Sequence, residues 1–547
     1  MSTAVSPSPE VSSPEGFSTA SSAELAAGGA GTAGASAGTA GAASAGHGAD
    51  AAGGADATGA DADATGADAD ATSTSADADA TGASADAPFT SPADKLRGRE
   101  LDRQILALAL PALGGLVASP IFVMIDSSMV GHLGADPLAA LSLASSILTT
   151  AVGLFVFLTY ATTATTARHF GAGRRREGLK AGLDGIWLAA LIGVAVAGVA
   201  MLFAPQIVAA MGAKASVATN AVAYLRMVLP GLPGMLVVLA ATGTLRGLLD
   251  TRTPFIVALV GAVLNTLLNA FFLYVVGLGV AGSGLGTALA ELSMGAALVA
   301  PIARAAHAEQ VSLRPRLDGL RASMGEGLGL FVRNISLRVA ILSTVWAATA
   351  LGATALASYQ VVNALWGVCS FGLDALAIAA QALIGQALGR AAEARRRGDE
   401  AALAQEDEAI SRILRRCMGW TLGVGVAVGL VVAGGAKWLP WFFTSDAPVR
   451  ELAFWPLLAM AASLPLVAVA FLYDGILMGA GDGRYLAVAG VINLVPYLPA
   501  ILLLVNAHEG LSDNTALMLL WGAFAFIFMG MRALTTGWRI HTDAWKK

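Results

Sequence analysis

Twelve long apolar segments follow one another from residue 105 and limit what this chain can fold into. Each is long enough, as a helix, to cross a hydrocarbon core of about 30 Å. A spanning helix also satisfies its own backbone hydrogen bonds, which lipid cannot do. The segments are 105–130, 138–168, 184–210, 220–245, 255–276, 283–303, 328–350, 356–388, 415–438, 450–479, 485–506 and 514–534. This pattern predicts an all-α membrane protein with twelve transmembrane helices.

The composition agrees with a protein that has several membrane spans. Of the 547 residues, 56% are hydrophobic and 13% are charged, whereas soluble proteins carry about 25% charged residues. The two cysteines, Cys369 and Cys417, lie in or beside apolar segments. They predict neither a disulfide framework nor a metal cluster.

The distribution of Lys and Arg predicts the orientation of the chain. With the N-terminus in the cytoplasm, the inside segments carry 27 Lys and Arg residues and the outside loops carry 3. Such an excess is typical of cytoplasmic loops. We therefore expect a multi-pass protein of the cytoplasmic membrane with both termini in the cytoplasm.

Residues 1–94 form an acidic, low-complexity region with 13 acidic residues and no Lys or Arg. The region has almost no large apolar side chains, so we expect a disordered tail. It is either a regulatory or partner-binding segment or a solvated extension without an essential role.

Three short matches reveal an internal repeat. LGADPLAALS at Leu133 resembles LGATALASYQ at Leu351, and at the same offset of 218 residues Gly171 matches Gly389. Later, LRGLLDTRTP resembles LMGAGDGRYL at an offset of 232 residues. Parallel repeats of this kind are typical of transporters.

The repeat divides the membrane part into two pseudo-symmetric six-helix bundles. We predict an N-terminal bundle at 95–310, a cytoplasmic linker at 311–327 and a C-terminal bundle at 328–547. The functional site should lie between or within these halves.

Asp126 lies near the end of the first apolar segment and has no acidic counterpart, because the matching position in the second half is Thr344. An ionised carboxylate in the membrane core costs at least about 2.5–3.5 kcal/mol. This cost favours a group that binds and releases a proton. The alternative is a carboxylate that reaches the membrane interface, since the helix ends a few residues later.

Three polar residues are predicted at the depth of Asp126. Asn265 and Asn269 share one helix face because they are four residues apart, and Thr287 opens the next helix after a short loop. Together they predict a cavity lining, although polar contacts between helices are also common in membranes.

Two prolines, Pro111 and Pro120, lie in the first helix. Pro120 removes the backbone bond to the carbonyl of Leu116, so the helix can bend there. Protonation of Asp126 could change this bend, or the kink could be fixed.

Three further acids are secondary candidates. Glu291 follows Thr287 by one turn and would join the same cavity. Asp374 and Asp474 belong to the second half. Each of these two is a pathway group, an ion-pair partner for Arg333 or Arg338, or an interface residue.

Several other kinds of site are not indicated. Gly277, Gly279 and Gly282 spell GxGxxG but lie outside any βαβ unit. No Walker A motif is present, so ATP should not drive the protein directly, and no His spacing indicates a metal site. We expect no cofactor, no enzymatic activity and no nucleic-acid partner.

These residues resemble a known family, the multidrug and toxic compound extrusion (MATE) transporters, and within it the DinF-like branch. The resemblance covers about residues 100–540. The stretches that carry it are LALPALGGLV, VMIDSSMVGHLGADPLAALSLASSI, TTATTARHFGAG, YLRMVLPGLP, LRGLLDTRTP, VAGSGLGTALA, LGATALASYQVVNALW, LDALAIAAQALIGQALG and LYDGILMGAGDGRY.

The resemblance implies two bundles that alternate access and expel organic, often cationic or amphipathic, compounds in exchange for H⁺ or Na⁺. It implies that Asp126 is the proton or cation site, and it matches Pro111, Asn265 and Thr287 to residues of the family pattern. Where many relatives have a second Asp, this chain has Asn269, so coupling through one acid is favoured.

Two alternatives to this function stay open. A lipid-precursor flippase of a related fold would need a strongly cationic cavity. An intramembrane enzyme or scaffold would need a nucleophile–base pair or metal ligands, which the sequence does not indicate. The expected partners are H⁺ or Na⁺, small organic substrates and the bilayer, with a single chain as the functional unit.

Overall fold

The structure is a computed structural model that describes residues 98–546, so the predicted tail at 1–94 lies outside the described residues. Within residues 98–546, twelve helices are long and apolar enough to span a membrane, which confirms the predicted number. They are α1 Gly98–Gly131, α2 Ala135–Gly171, α3 Arg175–Leu202, α4 Ala215–Gly247, α5 Arg252–Val275, α6 Val280–Ala308, α7 Leu317–Ala350, α8 Ala353–Arg397, α9 Glu400–Gly435, α10 Ala447–Ala480, α11 Gly483–Gly510 and α12 Asp513–His541.

Most helices extend beyond the apolar segments that predicted them. The predicted end of the third segment at 210 was wrong, because α3 ends at Leu202 and a short helix with Pro205 in its first turn follows at Ala204–Ala210. The longest, α8, continues nine residues past the predicted end at 388 and includes a run of arginines. Helix α7 begins at Leu317, inside the predicted linker at 311–327. Hydropathy marks only the stretch that suits lipid, whereas backbone hydrogen bonding continues the helix into polar residues outside it.

The packing of the helices repeats after six helices. In the first half α1 packs against α5, α2 against α4, and α4 against both α3 and α6. In the second half α7 packs against α11, α8 against α10, and α10 against both α9 and α12. Each of these contacts in the first half therefore has a counterpart in the second, as expected for two pseudo-symmetric bundles.

The first repeat match has a local structural basis at its glycines. Gly134 precedes α2 with φ 123° and ψ 177°, and Gly352 precedes α8 with φ 114° and ψ 170°. Residues with a Cβ rarely adopt this conformation. The same backbone turn therefore begins the second helix of each half.

The two halves meet where α2 crosses α8. A side chain at Gly171 would overlap the backbone of Gln386, and a side chain at Gly389 would overlap the backbone of Arg168. Arg168 and Gln386 are themselves separated by the repeat offset of 218 residues. The crossing is thus reciprocal, and it depends on glycine at both matched positions.

One end of the helices carries most of the Lys and Arg residues, and we call it the basic end. Two reciprocal hydrogen bonds join the halves there, beside this crossing. Arg168 Nη1 donates to the carbonyl of Ala480 at 2.9 Å, and Gln386 Nε2 donates to the carbonyl of Gly247 at 3.0 Å. Arg168 also pairs with Glu326 at 3.0 Å. These contacts form a latch that holds the two halves together at the basic end.

Candidate functional site

A cavity of about 410 Å³ lies within the first half and is bounded on one side by α8. Its walls come from α1, α2, α4, α5 and α6, and most of the lining is apolar. Four charged residues line it: Asp126, Arg246, Glu291 and Asp374. The cavity is therefore the place where charged groups of both halves share one space inside the membrane part.

Asp126 lines this cavity near the C-terminal end of α1, opposite the basic end. Its Oδ1 accepts two hydrogen bonds, from Asn269 Nδ2 and from Ser283 Oγ, each at 2.8 Å. Oδ2 accepts no hydrogen bond from a described residue. Two neutral donors thus hold one oxygen of the carboxylate and leave the other to the cavity.

The hydrogen bonds continue from Asp126 through α5 to α6. Asn269 Nδ2 also donates to Asn265 Oδ1 at 3.1 Å, and Asn265 Nδ2 donates to Thr287 Oγ1 at 3.1 Å. The three polar residues predicted at one depth and Asp126 therefore form one connected network. Ser283, one turn before Thr287, was not predicted; its position on the Thr287 face of α6 was the available signal.

The local backbone of α5 and α6 positions this network. Gly286 brings α6 against Asn269, because a side chain there would overlap the amide of Asn269. A π-helical turn begins two residues after Asn269, at Phe271–Val275, and such turns are frequent at functional sites. Asn269 is fully buried, and its Oδ1 has no hydrogen-bond partner among the described residues.

The remaining candidates of the first half lie along the cavity. Glu291 lines it two turns beyond Ser283 on α6, and none of the described residues forms an ion pair with it. Pro111 lines the cavity near the basic end, whereas Pro120 is not in the lining. Both prolines lie inside one continuous helix α1.

Asp374 and Arg246 occupy positions that the sequence did not indicate. Asp374 belongs to α8 in the second half, yet it lines the cavity of the first half because α8 packs against α1 and α2. Arg246 lines the same cavity from the end of α4, although its place at the edge of an apolar segment suits a cytoplasmic loop. Helix periodicity could not show which neighbour these side chains face.

Asp474 lies in the second half and is 2% exposed. Its Oδ2 accepts hydrogen bonds from Arg333 Nε at 3.2 Å and from Arg532 Nε at 2.8 Å, and both guanidinium groups also contact it through Nη2. Arg333 was an expected partner, whereas Arg532 was not. Arg338, the other expected partner, pairs with neither Asp474 nor Asp374 among the described ion pairs.

Within residues 98–546 no group of three or more His, Cys, Asp or Glu residues could hold a metal ion. Cys369 and Cys417 are both buried and unpaired with each other. The polar side-chain groups that line the cavity are carboxylates, an amide, hydroxyls and one guanidinium group.

Comparisons with known proteins agree with this architecture. The family model described as MatE matches residues 111–271 and 400–505. Protein DETOXIFICATION 44, chloroplastic, of Arabidopsis thaliana is 29% identical over 82% of this chain and 84% of its own length. The probable multidrug resistance protein NorM of Thermotoga maritima is 23% identical over 70% of this chain and 81% of its own length.

Solved structures share the fold at low sequence identity. The MATE transporter VcmN of Vibrio cholerae, in its bent form, superposes with a TM-score of 0.71 and 20% identity over 82% of this chain and 99% of that one. A MOP superfamily transporter from Pyrococcus furiosus, described as having a binding pocket of reverse polarity, has a TM-score of 0.70 and 19% identity over 82% and 97%.

Proposed function

This chain belongs to the MATE family of membrane transporters, and on that premise we propose that it is a secondary antiporter coupled through Asp126. It exports small organic compounds, often cationic or amphipathic, in exchange for H⁺. The relatives named above as multidrug resistance and DETOXIFICATION proteins support this general activity. The DinF-like pattern of α1 supports the choice of the coupling residue.

One observation carries the proposal: the carboxylate of Asp126 is held inside the cavity by neutral donors alone. No Lys or Arg of the described residues pairs with it. Because Asn269 carries no charge, the network contains a single acid that can exchange a proton. The free Oδ2 is the atom that would take up H⁺.

Exchange follows from competition for this charge. An ionised carboxylate in the membrane interior costs free energy, and either a bound organic cation or a bound proton removes that cost. The carboxylate of Asp126 cannot be neutralised by both at the same time. Uptake of H⁺ by Asp126 therefore weakens the binding of a cation in the cavity. Glu291, Asp374 and Arg246 line the same cavity.

We propose that the basic end lies on the cytoplasmic side of a cell membrane. The 27 Lys and Arg residues of the inside segments, against 3 in the outside loops, favour this orientation. The latch, in which Arg168 bonds to Ala480 and Gln386 bonds to Gly247, would then close the inner side and leave the cavity to open outward. A membrane potential of 100 mV adds about 2.3 kcal/mol for each charge moved inward. The bend of α1 at Pro111 or Pro120 is a candidate for the moving element.

The test is transport by the purified full chain in lipid vesicles. With an imposed pH gradient, we expect the wild type to accumulate a permanent cation such as tetraphenylphosphonium. Asp126→Asn should lower this accumulation at least tenfold, because it cannot take up a proton. Asp136→Asn, at the exposed start of α2, is the matched control and should transport normally.

Unchanged transport by Asp126→Asn would overturn the assignment of the coupling site. Replacing the pH gradient with a sodium gradient distinguishes H⁺ from Na⁺ as the coupling ion. If transport by Asp126→Asn still depended on the ion gradient, Glu291 or Asp374 would be the coupling residue instead. A flippase is less favoured, because three carboxylates and one guanidinium line the cavity among the described residues.

A further inference from the structure

Arg246 is a charged group of the cavity that the exchange at Asp126 does not use. It lies one residue before the end of α4, at the basic end of the cavity. Among the described residues it takes part in no ion pair within 4.0 Å. A guanidinium group inside a membrane is costly unless an anion or water accompanies it.

The charges around Arg246 do not balance. Arg246 interacts electrostatically with Asp374, which also faces Arg333 and Arg532 of the second half. Those two arginines already share the carboxylate of Asp474. Three guanidinium groups thus face two carboxylates, and one positive charge remains at this end of the cavity.

The surplus charge lies far from Asp126. Thr251, just after α4, donates to the carbonyl of Ala107 at 3.5 Å, so the end of α4 lies beside the first half of α1. Pro111 and Asp126 both line the cavity from α1, and at 1.5 Å per residue they are separated by about 22 Å. The cavity therefore has a cationic end at Arg246 and an anionic end at Asp126.

We propose that Arg246 is a subsite for the carboxylate of a transported compound. The cavity would then accept amphoteric substrates, with the carboxylate at Arg246 and a cationic or apolar part directed toward Glu291 and Asp126. Guanidinium groups bind carboxylates through paired N–H donors, which gives orientation as well as affinity. This inference rests on the proposed transport function and adds the substrate class.

The test compares matched probes in the same vesicles. Norfloxacin carries a carboxylate and a basic amine, its methyl ester keeps the amine alone, and tetraphenylphosphonium is a permanent cation. We expect Arg246→Gln to reduce norfloxacin uptake at least fivefold and to change uptake of the other two probes less than twofold. Arg252→Gln, which removes an exposed arginine outside the cavity lining, is the control and should leave all three unchanged.

Equal loss of all three probes in Arg246→Gln would overturn the inference, because it would mean that Arg246 only maintains the structure. Equal uptake of norfloxacin by wild type and Arg246→Gln would also overturn it. If the wild type transports none of the probes, the proposed function itself fails. Tetraphenylphosphonium uptake thus separates the two failures.

A second pair of variants tests whether Arg246 serves only to neutralise Asp374. Under the proposal, Asp374→Asn removes a competing carboxylate and should raise the apparent affinity for norfloxacin. The double variant Arg246→Gln/Asp374→Asn should remain as poor as Arg246→Gln. Recovery of norfloxacin uptake in the double variant would contradict the subsite.

Discussion

The two halves of this protein share one arrangement of helices but differ in what fills it. In the first half, α1, α4, α5 and α6 surround much of the cavity of about 410 Å³. Their counterparts α7, α10, α11 and α12 surround a space of only about 10 Å³. Both halves therefore have the same arrangement of helices, and the volume of their side chains decides which half has room for a ligand.

The residues that fill the second half explain the difference. Thr344, the counterpart of Asp126, contacts the hydroxyl of Tyr497 and donates to the carbonyl of Ala340. Closely packed aromatic rings fill much of the centre: Tyr359, Trp366, Tyr497, Trp521, Phe524 and Phe528. Asp474 there is bonded to Arg333 and Arg532. Asp126, Arg246 and Glu291 of the first half instead line the cavity.

The largest effect that could test this comparison is on stability. Asp474→Asn would leave Arg333 and Arg532 buried without their shared anion, and breaking a buried ion pair costs about 3–5 kcal/mol. We expect a fall of several degrees in the unfolding temperature of the purified protein. Transport per folded molecule should fall less than it does in Asp126→Asn.

Asp482→Asn is the control for that prediction. Asp482 pairs with Arg539 at 2.6 Å, but both side chains are partly exposed, and such pairs contribute about 0–1 kcal/mol. If Asp474→Asn unfolds at the same temperature as this control, the buried ion pairs of Asp474 do not stabilise the second half.

A smaller effect concerns the site of the first half. Ser283→Ala removes one of the two donors to Asp126 Oδ1, and a hydrogen bond to a charged group contributes about 1.5–3 kcal/mol. The ionised carboxylate loses this stabilisation, so release of the proton should require a higher pH. We expect the pH profile of transport to move upward by about one to two units relative to wild type.

Ser293→Ala is the matched variant on the same helix, because its hydroxyl bonds only to the carbonyl of Leu289 at an exposed position. It should keep the wild-type profile. A profile of Ser283→Ala that coincides with that of Ser293→Ala would show that the donor network does not control proton exchange.

The smallest expected effect is on the latch, where the halves are most alike. Gln386→Ala removes the bond to Gly247, and a neutral hydrogen bond contributes about 0.5–1.5 kcal/mol. The fraction of molecules open at the basic end should rise about two- to tenfold. This can be measured as maleimide labelling of Thr163→Cys, a buried position on α2, after replacement of Cys369 and Cys417 by serine.

Gln310→Ala provides the reference, since Gln310 is exposed and its amide bonds to the carbonyl of His307 within the same turn. Labelling in this variant should equal that of the parent. If Gln386→Ala labels no faster, the reciprocal contacts are not what holds the basic end closed.

Much of the fold was accessible from the sequence because it depends on local properties. Each long apolar segment has to form a helix in lipid, and the glycines before α2 and α8 mark the same backbone turn in both halves. The same reasoning identified Asp126, Asn265, Asn269 and Thr287, since a polar residue inside an apolar helix is conspicuous. The ends of the helices were less accessible, because polar residues continue a helix beyond its apolar part.

The sequence by itself determined the number of helices, their repeat and the polar residues that the membrane interior has to accommodate. Only the tertiary structure decided which of these residues meet. Ser283 bonds to Asp126, Arg532 bonds to Asp474, and Arg246 and Asp374 face one cavity from different halves. Hydropathy is a property of each segment alone, whereas such contacts depend on how every helix is rotated and packed against its neighbours.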